Sequence, residues 1–445
     1  MALDPQLLDI LACPEDKGPL LYFEGENALY NPRLHRRYTI KDDIPVMLVD
    51  EAEEVDDAEH DRRGKGRGRG HHTDLRRRRR RRPVFVTPSG GDAAPATDPT
   101  RRGIDSLGMF EATAALPEQV EAAVEVGLRA EGLPDGEGIA NVVILGMGGS
   151  GIAGDVISVV AEQFLPVPVV VAKGYDAPSF VDSSTLVIAL SFSGDTEETL
   201  QAAQEAQING GRMLAVGNGG RLAELAEEWA APVLPIPDGI PMPRVGLGAL
   251  AVPPLIALER MGLFSGAQEW VANAVGQLRR RRDQLVADAN PAADLARRIG
   301  RTLPIIYGAS ALGRVAASRW KTQCNENAKI PAFSNAIPEL CHNEVCGWGQ
   351  HGDLTRQVFQ LVLLRHDDEH PQESRRFDLV AEVVDECVGA VHTVRAEGDG
   401  VLAQLFDLML FGDFVSLYLA AHEGLDPGPV PVLDQFKQAL SQPAS

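Results

Sequence analysis

Cysteine is scarce in this 445-residue sequence, and long apolar runs are missing. The five cysteines form an odd, sparse set, which favours reduced thiols in a cytoplasm over a disulfide framework. No run approaches about 18 uninterrupted apolar residues, and the first residues lack a basic region followed by an apolar stretch. We therefore expect a cytoplasmic protein with neither a membrane span nor a signal peptide.

Positive charge is also scarce outside one segment. The formal net charge is −21, yet residues 61–82 hold twelve Lys and Arg against two Asp. The other residues therefore include 30 basic and 61 acidic side chains, a net charge of −31. A body this acidic is a poor general binder of nucleic acid, and the basic segment has no interleaved aromatic side chains. We expect no nucleic-acid partner for this protein, with the Arg-rich segment as the one exception.

The composition divides the chain into three blocks. Residues 1–58 contain short strand patterns separated by turns and indicate a small module. Residues 59–103 combine Gly, Pro and seven consecutive Arg, a composition that predicts a disordered linker. This segment differs so strongly from the rest that a reading-frame change is an alternative origin for it. From residue 104 onward, apolar strand patterns alternate with helical ones, which indicates parallel sheets covered by helices on both faces.

The alternating pattern occurs twice. In the first set, strands are predicted at 141–147, 166–172, 185–191, 212–217 and 231–237. In the second set, strands are predicted at 302–308, 359–366 and 390–396. An Arg-rich helical region around 266–299 separates the two sets, and further long helices are predicted at 311–327 and 401–423. We predict two α/β domains in tandem, residues 104–280 and residues 281–445.

A glycine-rich turn follows the first strand of the first domain. Gly146, Gly148 and Gly151 fit the dinucleotide-binding pattern G-x-G-x-x-G. However, Ala172 and Lys173 end the second strand, where a dinucleotide fold carries an acidic residue for the ribose. The turn therefore predicts either an anion site at a helix N-terminus or a tight turn without a ligand.

Four hydroxyl side chains follow the third strand, namely Ser191, Ser193, Thr196 and Thr199. One or two would suffice to cap the next helix, whereas four with a glycine favour a cradle for a phosphate monoester. Both turns follow the carboxyl ends of strands, where open α/β sheets bind ligands. We therefore predict a phosphate site between the two turns.

The two motifs, GMGGSGIAGD and SFSGDTEET, resemble the sugar isomerase (SIS) domain. They are most similar to the bifunctional phosphoglucose/phosphomannose isomerase family, and the resemblance covers residues 104–445. It implies two tandem SIS-type parallel-sheet sandwiches, with helices on both faces, preceded by a small α+β module. It also implies the residues that bind the sugar phosphate: Ser191, Ser193 and Thr196, with Gly148, Gly149 and Ser150 lining the same pocket.

Asp195 departs from the family pattern SGNTEET, in which an Asn stands at this position. A carboxylate beside a phosphate repels it. We expect Asp195 to weaken phosphate binding unless its side chain points away from the pocket.

A second group of candidate residues lies in segment 320–348, which concentrates Glu326, Glu339, His342 and Glu344 in an apolar setting. Any one of these carboxylates also fits a helix end followed by a polar loop. As a set, the segment resembles the NEN-K-P, SN and ELNHNE-x-GW region of the isomerase family. The resemblance makes Glu326 the base that moves a proton between C2 and C1. It makes His342 the ring-opening residue, supplied across a dimer interface.

Two isolated cations complete the predicted site. Arg244 is the only basic residue in segment 222–259, which favours a placed charge over a surface Arg. The resemblance makes Arg244 the group that stabilises the enediolate. Lys437 lies in a short helical pattern near the end of the chain, and the resemblance makes it the partner of His342 in ring opening. The alternative for Lys437 is an ordinary exposed helix lysine.

We expect no metal site. Cys324, Cys341 and Cys346 lack the spacing of tetrahedral zinc ligands, and we expect them to be small buried residues. Residues 1–58 resemble the zinc-ribbon-like tRNA methyltransferase activator family, but only Cys13 remains of that family's cysteine pairs. A four-thiolate site is therefore impossible there, and we predict a metal-free accessory module.

Two functions follow from these patterns. The first is a cofactor-independent isomerase that interconverts glucose 6-phosphate or mannose 6-phosphate with fructose 6-phosphate through an enediol(ate), as a homodimer with a shared active site. The alternative is a non-catalytic SIS-domain sensor or regulatory protein that binds a sugar phosphate. A sensor has no need of a proton-transfer base such as Glu326, so this residue favours the enzyme. Amino-sugar synthesis would ordinarily bring a glutamine amidotransferase domain, for which the sequence shows no pattern.

Overall fold

The computed structural model describes residues 13–15, 20–23, 26–41, 44–48, 52–56 and 104–440. The chain divides into two compact units, residues 1–94 and residues 95–445. The predicted linker, residues 59–103, lies outside the described residues.

The first unit contains a small antiparallel sheet. Its strands follow the order β1-β2-β3-β4, and β5 pairs with β3. The strands are β1 Leu21–Phe23, β2 Ala28–Asn31, β3 Arg36–Lys41, β4 Ile44–Pro45 and β5 Glu53–Glu54. Cys13 is fully buried beside this sheet, and its Sγ lies 3.2 Å from the Tyr38 hydroxyl oxygen. The Cys13 thiol therefore takes part in the packing of this small core.

The second unit contains two parallel sheets. The first has the order β10-β9-β8-β6-β7. Its strands are β6 Asn141–Gly146, β7 Val169–Ala172, β8 Thr185–Ser191, β9 Arg212–Gly217 and β10 Val233–Pro235. The central strand β8 is buried along its whole length, because helices cover both faces of the sheet. All five predicted strands are present, and β8 and β9 match the prediction residue for residue.

The second parallel sheet has the order β12-β11-β13-β14. Its strands are β11 Leu303–Ala309, β12 Phe333–Ile337, β13 Phe359–Arg365 and β14 Val391–Arg395. Strand β12 was not predicted, since FSNAI is short, contains two polar residues and is exposed over its first two residues. The two parallel sheets confirm the predicted α/β class.

Helices connect the strands of the second unit. They are α1 Met109–Ala114, α2 Leu116–Leu128, α3 Gly148–Glu162, α4 Glu197–Ile208, α5 Gly220–Glu228, α6 Leu247–Arg260, α7 Ala267–Leu285, α8 Pro291–Ile299, α9 Ser310–Gln323, α10 Gly352–Val358, α11 Pro371–Val384, α12 Val401–His422 and α13 Pro431–Leu440. The region predicted as one Arg-rich helix is thus two helices, α7 and α8, separated by a break that precedes Pro291.

Helix α12 forms the centre of the core in the second unit. By length and composition it could cross a membrane, but 94% of its most apolar window is buried inside the protein. Its two carboxylates are each paired with a buried Arg. Asp407 accepts two hydrogen bonds from Arg281, and Asp413 accepts two from Arg319. Such pairing compensates for the cost of burying the charges.

The packing of α12 against α9 depends on a glycine. A Cβ at Gly412 would lie 2.3 Å from the Nε1 atom of Trp320, a fully buried side chain that donates to the Leu408 carbonyl oxygen at 2.7 Å. We predict that Gly412→Ala lowers the free energy of unfolding by about 1–3 kcal/mol, because the indole must move.

Gly276→Ala is the matched control for this measurement by urea unfolding. Gly276 is also inside a helix, but the nearest atom to its added Cβ is the mobile end of Arg280, 3.7 Å away. Alanine there should be neutral or stabilising, by up to about 1 kcal/mol. Equal effects of the two substitutions would contradict the prediction.

Candidate active site

The glycine turn after β6 approaches another loop closely. Gly148 adopts φ 51°, a left-handed conformation that suits glycine. A Cβ at Gly149 would lie 2.9 Å from the Pro243 carbonyl oxygen and 3.1 Å from the Arg244 nitrogen. Only glycine therefore allows this contact with the loop that carries Arg244. Ser150, which follows, is 4% exposed.

The hydroxyl turn after β8 lies beside the glycine turn. The Phe192 N–H donates to Ser150 Oγ at 3.2 Å, which joins the two turns directly. Ser191, fully buried, donates through its hydroxyl to Thr196 Oγ1 at 3.0 Å. The Asp195 N–H donates to Ser193 Oγ at 3.2 Å. Ser150 of the glycine turn and Ser191, Ser193 and Thr196 of the hydroxyl turn are therefore held in one region.

Several hydroxyl protons in this region remain available. The hydroxyl oxygens of Ser150, Ser193 and Thr196 each accept a hydrogen bond. Among the described residues, no group accepts a hydrogen bond from these three hydroxyl groups. A hydroxyl group that accepts one bond still has a proton to donate. Three donors at the N-terminal ends of two helices can bind an anion such as a phosphate.

The Asp195 carboxylate is engaged elsewhere. Its Oδ1 accepts a hydrogen bond from the Arg221 N–H at 2.9 Å, in the first turn of α5. The first N–H groups of a helix have no acceptor within the helix, and Asp195 supplies an acceptor for one of these groups. The carboxylate that was expected to weaken phosphate binding thus caps a neighbouring helix.

Arg244 lies in a 3-10 turn, Pro243–Val245, between β10 and α6. Its side chain is 3% exposed, and its guanidinium donates four hydrogen bonds. Nε donates to Asn327 Oδ1 at 2.7 Å, and Nη2 donates to the carbonyl oxygens of Pro427 and Gly428, each at 2.6 Å. Nη1 lies 3.4 Å from Glu326 Oε2. The guanidinium therefore has a fixed position and orientation.

Glu326 lies in a π-helical turn, Cys324–Ala328, that continues α9. The sequence predicted a helix to residue 327, whereas the regular α-helix ends at Gln323. Wider turns of this type often mark functional sites. The Glu326 side chain is 29% exposed, so one face of the carboxylate is open while Arg244 approaches the other.

Burial dominates the electrostatics at Arg244. Loss of water lowers the pKa of its guanidinium, while the Glu326 carboxylate acts in the opposite direction. Behind it, Arg319 donates to the Arg244 carbonyl oxygen at 2.8 Å and pairs with Asp413. An Arg remains protonated in spite of such a shift, so a positive charge stands beside Glu326.

Among the described residues, no hydrogen bond or ion pair joins His342 or Lys437 to Glu326 or Arg244. His342 is exposed in a 3-10 turn, Glu339–His342. Lys437 is exposed on α13. The segment around His342 is fixed through Glu344, whose carboxylate accepts hydrogen bonds from the Tyr307 hydroxyl and the Asn335 amide.

The second sheet carries similar turns with different chemistry. Ser310 at φ 54° starts α9 as Gly148 at φ 51° starts α3. The Ser310 hydroxyl, however, donates to the Glu373 carboxylate at 2.6 Å. Arg365, which ends β13, pairs with Glu369 at 2.8 Å. The chain's own carboxylates thus occupy these donors, and the available hydroxyl donors described above lie on the first sheet.

The predicted burial of three cysteines is only partly right. Cys324 is buried, and burial raises the pKa of its thiol to about 12. Cys341 is half-buried and Cys346 is exposed, so the prediction is wrong for Cys346, which lies in a short 3-10 turn that buries none of its residues. Among the described residues no three His, Cys, Asp or Glu side chains form a group that could hold a metal ion.

Three protein families match the chain. The family described as Bacterial phospho-glucose isomerase C-terminal SIS domain matches residues 288–440, and the SIS domain family matches residues 139–228. The family described as Trm112p-like protein matches residues 4–43. These matches agree with the resemblances inferred from the sequence motifs.

Relatives extend the comparison. A bifunctional phosphoglucose/phosphomannose isomerase from Caldicellulosiruptor bescii is 37% identical over 338 residues, which cover 75% of this chain and 99% of that protein. A D-glucosamine-6-phosphate 4-epimerase from Sulfolobus acidocaldarius is 32% identical over 205 residues, which cover 46% of this chain and 62% of that protein. The solved C-terminal domain of glucosamine-fructose-6-phosphate aminotransferase from Francisella tularensis has a TM-score of 0.54 at 16% identity, covering 72% of this chain and 97% of that structure.

Two parallel-sheet halves, each matched by an SIS-domain family, define a protein with paired SIS domains. Within this class, the chain belongs to the bifunctional phosphoglucose/phosphomannose isomerase family, because its similarity to the Caldicellulosiruptor protein spans nearly all of that relative. The predicted family and fold are confirmed. The roles of the individual site residues remain predictions.

The position of Asp195 can be tested by stability. We predict that Asp195→Ala lowers the free energy of unfolding by about 1 kcal/mol, because the Arg221 N–H loses its acceptor. Asp195→Asn keeps an acceptor oxygen and should lose less. Urea unfolding measures both variants, and an unchanged Asp195→Ala variant would show that the carboxylate does not cap α5.

Proposed function

We propose that the chain is a cofactor-independent aldose–ketose isomerase that interconverts glucose 6-phosphate or mannose 6-phosphate with fructose 6-phosphate through an enediol(ate). The observation that carries this proposal is the contact of 3.4 Å between Glu326 and the buried Arg244, beside two turns with available hydroxyl donors. A proton acceptor, a fixed positive charge and an anion cradle are the groups that such a reaction needs.

The two turns would bind the phosphate end of the sugar. Ser150, Ser193 and Thr196 offer hydroxyl protons, and the N-termini of α3 and α4 add backbone N–H groups. Ser191 holds Thr196 in place through its hydrogen bond of 3.0 Å. Binding at a point remote from the reacting carbons fixes the substrate without taking part in the chemistry.

Glu326 would then transfer the proton. It takes the proton from C2 of the open-chain aldose and returns it to C1, while a proton moves from the C2 hydroxyl to the oxygen on C1. The aldose becomes a ketose with no change in atoms or electrons, so no cofactor is consumed. Arg244 lies where it can stabilise the negative charge that develops on the enediolate oxygens.

The alternative function, a sugar-phosphate sensor, would use the same turns. A sensor needs only the turns that bind the phosphate, whereas a carboxylate beside a guanidinium supplies the base and the cation that proton transfer requires. The pair therefore supports the enzyme over the sensor.

The enzyme hypothesis predicts the behaviour of Glu326→Gln. Turnover of fructose 6-phosphate should fall by about a hundredfold to ten-thousandfold, because the variant lacks the base. Calorimetric binding of fructose 6-phosphate should remain, because the hydroxyl turns are unchanged. Coupled assays follow glucose 6-phosphate and mannose 6-phosphate, and glucosamine 6-phosphate is included because one relative is an epimerase of that compound.

Glu382→Gln is the matched control, since Glu382 is exposed on α11 away from the described site. It should retain wild-type turnover. Wild-type protein that binds fructose 6-phosphate without turnover would favour the sensor and contradict the isomerase.

We also propose a cytoplasmic homodimer in which His342 and Lys437 complete the site of the partner chain. Helix α13, which carries Lys437, leaves Leu433, Phe436 and Leu440 exposed at 47%, 65% and 71%. Their spacing places them along one side of the helix, a pattern typical of a surface that another chain covers. His342 is likewise exposed rather than held at Glu326.

A shared site predicts complementation. Co-expressed Glu326→Gln and His342→Gln chains should regain about a quarter of wild-type activity, since half of randomly formed dimers are mixed and each has one intact site. Differently tagged chains allow the mixed dimer to be purified and assayed. A mixed dimer as inactive as either parent would place Glu326 and His342 in the same chain's site and would overturn the proposal.

A further inference from the structure

Lys329 closes the turn that carries Glu326. Its backbone adopts φ 58°, a left-handed conformation that is uncommon outside glycine. Its N–H donates to the Cys324 carbonyl oxygen at the end of the π-helical turn. The chain therefore reverses at Lys329, and the side chain returns toward the residues that precede it.

The Lys329 ammonium joins this turn to a distant part of the chain. Nζ donates to the Glu326 carbonyl oxygen at 2.5 Å and to the Pro427 carbonyl oxygen at 3.2 Å. Arg244 Nη2 donates to the same Pro427 oxygen at 2.6 Å. Two cations thus converge on one carbonyl group, and one of them is bonded to the backbone of the proposed base.

We propose that Lys329 is a positioning residue for Glu326: its ammonium holds the base-bearing turn against the Pro427 carbonyl and adds positive charge beside the carboxylate. This inference rests on the isomerase function proposed above. Glu326 occupies a turn with irregular hydrogen bonding, so a second attachment limits its movement. A carboxylate that must reach two neighbouring carbons depends on such a fixed position.

The charges around Lys329 make this role sensitive to pH. The groups that act on it are Arg244 from the 3-10 turn, Glu326 from its own turn, and Asp426 from the segment after α12. Lys329 as a whole is exposed, but its ammonium lies against two carbonyl groups, and this partial loss of water lowers its pKa to about 8. The Arg244 guanidinium acts in the same direction, while Asp426 and Glu326 oppose the shift. Below about pH 8 the side chain is charged and donates strongly, and above it the charge is lost.

Steady-state kinetics of the full chain with fructose 6-phosphate, between pH 6 and pH 10, tests the proposal. Lys329→Met should lower kcat about tenfold at pH 7 and leave KM within about twofold, because the phosphate turns are unaffected. Lys329→Arg keeps a charge at every pH in this range and should retain most of kcat. Lys321→Met is the matched control, since Lys321 lies on α9 in the turn before the π-helical segment.

The pH profile separates positioning from a purely structural role. Wild-type kcat should decline above about pH 8, Lys329→Arg should shift that decline upward, and Lys329→Met should lack it. A Lys329→Met variant that keeps the wild-type kcat and shows the same decline of kcat with rising pH would overturn the inference. A loss confined to KM, or an equal loss in Lys321→Met, would do the same. Thermal unfolding shows whether each variant is folded.

A second measurement does not depend on turnover. The chain has only seven lysines, so their ¹³Cε signals can be followed by NMR and Lys329 assigned from the Lys329→Met spectrum. A titration near pH 8 supports the inference, because it indicates an ammonium held beside the Arg244 guanidinium and away from water. An ordinary titration near pH 10 would indicate a side chain free in water and would overturn it. If wild-type protein shows no turnover at any pH, the isomerase proposal fails, and this titration still decides the charge state of Lys329.

Discussion

The buried guanidinium of Arg244 is the constraint on which the site depends. A charge removed from water is tolerated only when nearly all of its donors are satisfied. Here Asn327 and Glu326 come from the turn after α9, and the carbonyl groups of Pro427 and Gly428 come from the segment after α12. Three segments that are far apart in sequence are therefore held together, because each satisfies part of one cation. The carboxylate of Glu326 gains its position from the same requirement.

The two halves of the fold differ in the donors that they leave available, and this difference favours the first sheet for the proposed anion site. Both sheets begin a helix with a left-handed residue, Gly148 in the first and Ser310 in the second. In the second half, the Ser310 hydroxyl is hydrogen-bonded to Glu373, and strand β13 ends in Arg365, which is paired with Glu369. In the first half, strand β8 ends in Ser191. A carboxylate supplied by the chain satisfies the donors that a phosphate would otherwise use. The same backbone turn is thus the proposed phosphate site in the first half and a closed structural joint in the second.

The parts of the fold that could be predicted from the sequence are those with local causes. Strand β8, residues 185–191, is apolar on both faces, and this pattern suffices to identify a buried parallel strand. Strand β12, residues 333–337, has no such pattern, because its position comes from pairing with β11. In the site, motifs identified Glu326 and its neighbours, but not the partners of Lys329 or the cap formed by Asp195. Those contacts join residues that are distant in sequence, and no local pattern encodes them.

The proposed site therefore contains two parts that are fixed to different extents. Arg244 is held by buried hydrogen bonds and lies 3.4 Å from Glu326 of the same chain, so the geometry of the proposed proton transfer needs no bound substrate to form. The His342 and Lys437 side chains are exposed, and the turn that carries His342 is held by buried Leu340 and by the Glu344 network. Ring opening needs an acid and a base but little stabilisation of new charge, whereas the enediolate needs a fixed cation. In the proposed mechanism the demanding step thus uses residues held together within one chain, and the ring-opening groups come from a surface that a second chain completes.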